Sequence, residues 1–356
     1  MNKLPLGATI GILGGGQLGR MLSIAASRLG YKTHIYEPAL NAPAQDVAHR
    51  VTTADYDNVV ALQEFARAVD VITYEFENIP TAALDVLEAL RPIRPNRRAL
   101  AISQDRIQEK DFLTGLGLTC APYHFVQSLA DLQAAIAKIG TPAILKTTRL
   151  GYDGKGQARI MSADDAAAAH ASMGGADCVL EGFIDFTHEV SVIAARGMDG
   201  SISCYDPGQN VHRGGILHST TLPAKLSPGQ RSDAILMAAR ILNSLDYVGV
   251  MGVELFVTAS GLIVNEIAPR VHNSGHWTQN GCAVDQFEQH IRAVAGLSLG
   301  DGGRHSDVVM ENLIGDDINR LPAILAENDC AVHLYGKAEA RPGRKMGHVN
   351  RVVRKG

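Results

Sequence analysis

A strand, a glycine turn and a helix follow one another at the start of the chain. Thr9-Ile10-Gly11-Ile12-Leu13 reads as a buried strand, Gly14-Gly15-Gly16-Gln17-Leu18-Gly19 as the turn, and an apolar helical period continues to about Leu29. A second strand is expected over Lys32–Tyr36. A helix near 58–69 then leads into a third strand, Val71-Ile72-Thr73-Tyr74-Glu75. Strand and helix in alternation predict a parallel sheet, because parallel neighbours need crossover connections. Arg91-Pro92-Ile93-Arg94-Pro95 reads as its boundary. Gly14, Gly16 and Gly19 satisfy G-x-G-x-x-G, and Glu37 stands eighteen residues past Gly19, which fits the dinucleotide fingerprint. The same glycines would bring backbone N–H groups at a helix N-terminus to any phosphate or ribose, or make a tight turn with no ligand. The motif leaves these readings open.

Residues 96–140 read as helical, and Pro142-Ala143-Ile144-Leu145-Lys146 as a strand. Gly151-Tyr152-Asp153-Gly154-Lys155-Gly156 lacks the Gly-Lys-Ser/Thr ending of a P-loop, and strands flank it. A glycine flap over a triphosphate fits, with Lys155 and Lys146 neutralising charge; a turn with a solvated lysine is the alternative. Strands are expected at 157–161, 178–184, 189–196 and 201–205, then a helix capped by Ser227-Pro228. A helix near 284–295 and a strand-rich tail finish the chain.

Two carboxylates face each other in the next feature. Val250–Phe256 and Leu262–Ile267 read as one hairpin around Ala259-Ser260-Gly261. A three-residue turn centred on Ser260 sets Glu254 opposite Glu266, with Cβ atoms about 5 Å apart. Like charges so placed repel, and magnesium shared with nucleotide phosphates would compensate them; an exposed edge pair is the alternative. Arg270-Val271-His272-Asn273-Ser274-Gly275-His276-Trp277 follows at once, holding the only tryptophan and two of 13 histidines. Such a density of donors is hard to explain as packing. Zinc is disfavoured, since His272 and His276 lack an HExxH context.

Composition narrows the class of protein. With 46% hydrophobic and 20% charged residues among 356, a folded chain of two or three domains is expected. A net charge of −4 argues against a nucleic-acid binder. Locally, six basic and no acidic residues follow from Arg341 onward. Five scattered cysteines without a CxxC pair argue for reduced thiols in a cytoplasm. No signal peptide or membrane span is expected.

Together Gly151–Gln157, Glu181-Gly182-Phe183-Ile184, Glu254 and Asn265-Glu266-Ile267-Ala268-Pro269-Arg270 resemble the ATP-grasp enzymes. The run from Arg270 to Gly281, with Arg341-Pro342-Gly343-Arg344-Lys345-Met346-Gly347-His348, resembles more narrowly the N5-carboxyaminoimidazole ribonucleotide synthetase family. The resemblance runs in order from Gly14 to His348. It implies a mixed α/β and α+β architecture: an N-terminal Rossmann-like domain over 1–98, an ATP-grasp domain over 99–298 with a mobile lid at about 115–185, and a small β-rich C-terminal domain over 299–356. The first glycine motif would then serve a ribonucleotide rather than NAD. The chain ends soon after His348, where many relatives continue.

The resemblance also implies roles. ATP would meet Arg106, Lys146, the loop Gly151, Tyr152, Asp153, Gly154, Lys155, Gly156 and Gln157, the hinge Glu181, Gly182, Phe183 and Ile184, and also Glu189, His212, Asn265 and Glu266. Mg2+ would sit on Glu254 and Glu266. Arg270, His272 and Asn273 would hold bicarbonate or carboxyphosphate, with Tyr152 closing over it. 5-Aminoimidazole ribonucleotide would meet Gln17, Leu18, Glu75 and Asn78, and its phosphate Lys337, Arg344 and Lys345. A cytoplasmic homodimer acting on small molecules, without nucleic acid or membrane, is expected. Competing readings are an NAD-dependent oxidoreductase, a formate-using ATP-grasp ligase and a non-catalytic nucleotide-binding regulator.

Overall fold

The computed structural model describes residues 3–151 and 156–353, so Tyr152, Asp153, Gly154 and Lys155 lie outside the described residues. The chain opens with β1 (Thr9–Leu13), α1 (Gln17–Arg28), β2 (Lys32–Tyr36), β3 (Arg50–Thr52), α2 (Val59–Arg67), β4 (Val71–Tyr74) and α3 (Thr81–Glu88). The four strands pair in parallel in the order β3-β2-β1-β4. Ile10, Ile12 and Leu13 are fully buried, and α1 covers the sheet with Leu18, Met21, Leu22, Ala25 and Ala26. The chain order reverses beside β1, and a crevice opens at such a switch point beyond the strand C-termini. Gln17, Leu18 and Glu75 stand there.

Two capped helices follow, α4 (Arg97–Ser103) and α5 (Arg106–Gly115). The Asp105 side chain accepts from the N–H groups of Ile107 and Gln108 and so starts α5. The helical reading of 96–140 fails in its middle. Tyr123–Val126 forms β5, and α6 (Leu129–Ile139) comes after it. Aromatic and branched residues past Pro122 favour an extended chain, and β8 supplies the partner strand. That sheet is antiparallel, in the order β5-β8-β6-β7, with β6 (Ala143–Thr147), β7 (Gln157–Ile160) and β8 (Cys178–Gly182). A short helix, α7 (Ala166–Ser172), crosses a stretch expected to be mainly strands; four consecutive alanines suit it.

The remaining strands are β9 (His188–Arg196), β10 (Ile202–Cys204), β11 (Gly208–Arg213), β12 (Ile216–Leu222), β13 (Gly249–Thr258), β14 (Gly261–Ala268), β15 (Asp307–Ile314), β16 (Cys330–Leu334) and β17 (Lys345–Val353). They make one nine-stranded sheet, β14-β13-β9-β11-β12-β15-β17-β16, with β10 on β9. β12 pairs with β15, so the C-terminal strands carry on the same sheet. Helices α8 (Pro228–Ser244), α9 (Thr278–Gly281), α10 (Gln286–Ala295) and α11 (Leu321–Ile324) complete the chain. α10 is buried on nearly every face, between α1 and β13. His290 on α10 ties the two layers: its Nδ1 accepts from the Val250 N–H at 3.0 Å, and its Nε2 lies 2.8 Å from Thr73 Oγ1.

The β13–β14 hairpin sets Glu254 opposite Glu266, but by another route than a three-residue turn. Thr258 pairs with Gly261, leaving only Ala259 and Ser260 in the turn, and Leu255 pairs with Val264. That register would bring Asn265 opposite Glu254. A bulge between Glu254 and Leu255 instead shifts the pairing by one residue. The extra residue is Asn265. A bulge bends its strand and re-aims side chains, which is how the adjacent Asn265 and Glu266 both come to line one cleft.

Candidate active site

One cleft of about 560 Å3 lies where the parallel sheet, the four-stranded sheet and the nine-stranded sheet meet. The N-terminal domain contributes Gln17 and Leu18 from the start of α1 and Glu75 and Asn78 from the segment after β4, and α5 contributes Arg106. Lys146, Gly151 and Gln157 come from β6, β7 and the connection between them. The large sheet supplies Glu189, His212, Glu254, Asn265 and Glu266, then Arg270, His272, Asn273 and, from β17, Lys345. Glu181, Gly182, Phe183, Ile184, Gly156, Lys337 and Arg344 are not among its lining residues. Arg344 donates to the Glu339 carbonyl at 2.9 Å on the turn before β17, and Lys337 Nζ stands 5.6 Å from the centre of the Tyr335 ring.

The first glycine loop is occupied by the protein itself. The Gly15 N–H donates to Glu37 at 2.6 Å, and the Gly19 N–H to Glu75 at 2.6 Å; the Gly16 N–H donates to the other Glu75 oxygen. Donors that would cradle a pyrophosphate therefore hold two carboxylates. A Cβ on Gly14 or Gly16 would stand 2.5 or 2.6 Å from Glu75, so the glycines make room for that side chain. This arrangement removes the dinucleotide reading. Burial raises the Glu75 carboxyl above its usual range, against the two N–H groups that hold it down.

Three cation–carboxylate groups frame the cleft. Arg270 grips Glu77 with two N–H groups, at 2.5 and 3.2 Å, and gives a third to the Val271 carbonyl at 3.3 Å. Two of its five donors are left for an anion. Arg106 meets Glu266 at 3.4 Å. Glu181 lies between Lys146, at 2.9 Å, and Lys110, at 3.2 Å. Burial alone would raise the Glu181 carboxyl, but Lys146, then Lys110 and Arg106, bring it down to about 2. The resemblance places Glu181 at a base-binding hinge; its side chain fixes two lysines.

Of the opposed carboxylates Glu254 is largely buried, while the Glu266 side chain is 41% exposed toward the cleft. Burial first, and then the charge of Glu266, push the Glu254 carboxyl up to about 8. His272 Nε2 stands 3.3 Å from Glu254, and burial with the nearby Arg270 charge holds that imidazole well below its ordinary value. His212 pairs with Glu189 at 2.6 Å, and this bond raises its ring against the effect of burial. A hard divalent cation fits two such carboxylates. Among the described residues no group of three or more His, Cys, Asp or Glu side chains could hold a metal. A cation on Glu254 and Glu266 would thus need oxygens from a ligand or water. Asn273 adds a further mark of a ligand: its Oδ1 and Nδ2 are both buried without a partner.

Three functional positions escaped the sequence reading. Glu109 accepts from the Ile267 N–H at 2.6 Å, beside Glu266, and burial raises its carboxyl to about 8. Lys110 is 1% exposed. Both share one face of α5 with Arg106, at i+3 and i+4, and that spacing was available as a signal. Glu77 alternates with Glu75 just past β4, another legible pattern.

Comparison with known proteins places this geometry. Residues 7–104 match the ribonucleotide synthetase preATP-grasp domain, residues 111–287 the ATP-grasp domain, and residues 308–355 the phosphoribosylaminoimidazole carboxylase C-terminal domain. The N5-carboxyaminoimidazole ribonucleotide synthase of Brucella melitensis is 55% identical, over 99% of both chains. The chain belongs to the N5-carboxyaminoimidazole ribonucleotide synthase family. The Pseudomonas aeruginosa member is 44% identical over 95% of this chain and 93% of its own. A crystal structure of a family member with ADP superposes at TM-score 0.96, with 42% identity, over 100% of this chain and 95% of that one. The Aspergillus clavatus enzyme, crystallised with ADP and 5-aminoimidazole ribonucleotide, gives 0.92 at 29% identity, over 98% and 94%.

The Lys110–Glu181–Lys146 group yields a stability prediction. Lys110→Met should cost about 3 kcal/mol at pH 7 in urea unfolding, because it strands part of a buried charge. Glu181 is depressed from 4.5 to about 2, so the pair's contribution is complete above about pH 4.5 and lost as pH falls through about 2. The gap between wild type and variant should narrow below pH 4.5.

Proposed function

We propose that the chain carboxylates 5-aminoimidazole ribonucleotide with bicarbonate, converting ATP to ADP and phosphate, in de novo purine synthesis. The observation that carries this reading is the cleft itself. It brings the opposed Glu254 and Glu266, the anion-facing Arg270 and the unpartnered Asn273 together with Gln17 and Lys345.

The residues divide the work. Lys146 and Arg106 neutralise ATP phosphates, with Gly151, Gln157 and the loop between them over the nucleotide. Glu189, His212 and the 181–184 segment hold its ribose and base. Magnesium on Glu254 and Glu266, with Asn265 beside them, would neutralise the β- and γ-phosphates; positioning and charge neutralisation supply most of what phosphoryl transfer requires. Arg270, His272 and Asn273 hold bicarbonate in line with the γ-phosphate, and Tyr152 closes the site. A bicarbonate oxygen displaces ADP from the γ-phosphorus to give carboxyphosphate. Its carbon–oxygen bond to phosphate then breaks, and the exocyclic amine takes up the carboxyl carbon, directly or as CO2, losing a proton as phosphate is released. Gln17, Leu18, Glu75 and Asn78 orient the ribonucleotide, and Lys345, with Lys337 and Arg344, meets its phosphate. A closed site excludes water, which would otherwise hydrolyse the intermediate.

The enzyme is proposed to act in the cytoplasm as a homodimer. The exposed Ile24 on α1 and Leu334 on β16 share the wall of a second, smaller cleft and offer such a contact. Sedimentation should give twice the 38.0 kDa of one chain; a monomer at assay concentration would remove the dimer. ADP release from Mg·ATP and bicarbonate should rise strongly when the ribonucleotide is added. Formate should not replace bicarbonate, and Glu266→Gln should lower kcat by about 10²-fold. ATP binding without stimulated turnover would overturn the assignment.

A further inference from the structure

A chain of buried hydrogen bonds crosses β12, β11 and β9 and ends at His272. Thr220 Oγ1 donates to Asn210 Oδ1 at 2.9 Å, and Asn210 Nδ2 donates to Ser191 Oγ at 3.1 Å. Ser191 Oγ donates to Ser274 Oγ at 2.6 Å, and Ser274 Oγ lies 2.8 Å from His272 Nδ1. Thr220 and Ser274 are 0% exposed, Ser191 2% and Asn210 5%, so solvent does not compete for these groups.

Amide chemistry sets the direction of the first two links, and geometry that of the next. An amide oxygen only accepts and an amide nitrogen only donates. Ser191 therefore receives a proton from Asn210, and the geometry of its contact with Ser274 has it donate its own there. Ser274, already an acceptor, has its own proton left for His272 Nδ1. The Ser274 backbone N–H, which can only donate, also points at Nδ1, at 3.4 Å. With two donors aimed at it, Nδ1 carries no proton. In a neutral ring the proton is then on Nε2, the atom 3.3 Å from Glu254 Oε1.

We propose that Thr220, Asn210, Ser191 and Ser274 are positioning residues that lock His272 as its Nε2–H tautomer, so that it acts as a hydrogen-bond donor toward Glu254 and the cleft and not as a proton acceptor there. The role in turnover rests on the function proposed above; the tautomer does not. The lock explains why polar side chains occupy the interior of three adjacent strands. A buried polar network fully satisfied in one direction makes a rigid support.

The test reads the two separately. In the full-length protein labelled with 15N-histidine, two-bond proton–nitrogen correlation spectra distinguish the tautomers, because the bare nitrogen resonates far downfield of the protonated one. His272 is assigned by its loss in His272→Gln. The wild type should show a bare Nδ1 and a protonated Nε2; the reverse pattern would overturn the lock. Ser191→Ala removes one hydroxyl without touching the cleft and lets Ser274 accept from the ring. It should reveal a second tautomer, lower kcat about tenfold and leave KM for ATP within about twofold. An unchanged kcat in a variant showing both tautomers would overturn the positioning role. An Nε2–H pattern in a wild type lacking carboxylase turnover would support the lock and count against the proposed reaction.

Discussion

Two carboxylates held face to face in a buried hairpin are the constraint around which the rest of the cleft is arranged. Glu254 and Glu266 are paired residues of β13 and β14, and like charges at such positions repel. Burial and the facing Glu266 charge push the Glu254 carboxyl up to about 8. The local structure answers with donors on each side, Arg106 at 3.4 Å from Glu266 and His272 at 3.3 Å from Glu254. The bulge at Asn265 maintains the opposition, because the turn alone would have faced Glu254 with Asn265. The site is thus prepared for a cation that brings its own oxygen ligands, as a metal–nucleotide complex does.

The cationic groups of the cleft are also held in place by the protein itself. Arg270 is fixed by Glu77, and Lys146 by Glu181, before any ligand arrives. Donors oriented in advance need no reorganisation when charge develops, which is the basis of electrostatic catalysis. Helix α5 joins these parts. Arg106 reaches Glu266, Glu109 holds the free edge of β14 at Ile267, and Lys110 reaches Glu181 on the neighbouring sheet. One face of one short helix therefore connects the opposed carboxylates, through Glu181, to Lys146.

Much of this was legible in the sequence where a single periodicity or turn dominates. The βαβ order, the capped helix from Ser227 and the carboxylate pairing all appear in the structure. The pairing came from a three-residue turn, whereas a two-residue turn plus a bulge produces it; no local signal separates those routes. Strands β11 and β12 carry Asn210, His212 and Thr220 inward or toward the cleft, and so lack the apolar alternation that marks a strand. β5 depends on its neighbour β8 more than on its own four residues. The glycine motif shows the limit of pattern reading: its glycines clear space for the Glu75 carboxylate, a partner from 56 residues along the chain. Glu109 and Lys110 were readable as a helix face, yet their purpose rests on contacts with Ile267 and Glu181 that only the tertiary fold supplies.

Paramagnetic Mn2+ titrated into the protein in the presence of ADP, with free metal read by its electron spin resonance signal, tests the central role of the carboxylate pair. The account predicts one tight, ADP-dependent Mn2+ per chain in the wild type, weakened about tenfold or more in both Glu254→Gln and Glu266→Gln. Unchanged Mn2+ binding in the two variants would contradict it.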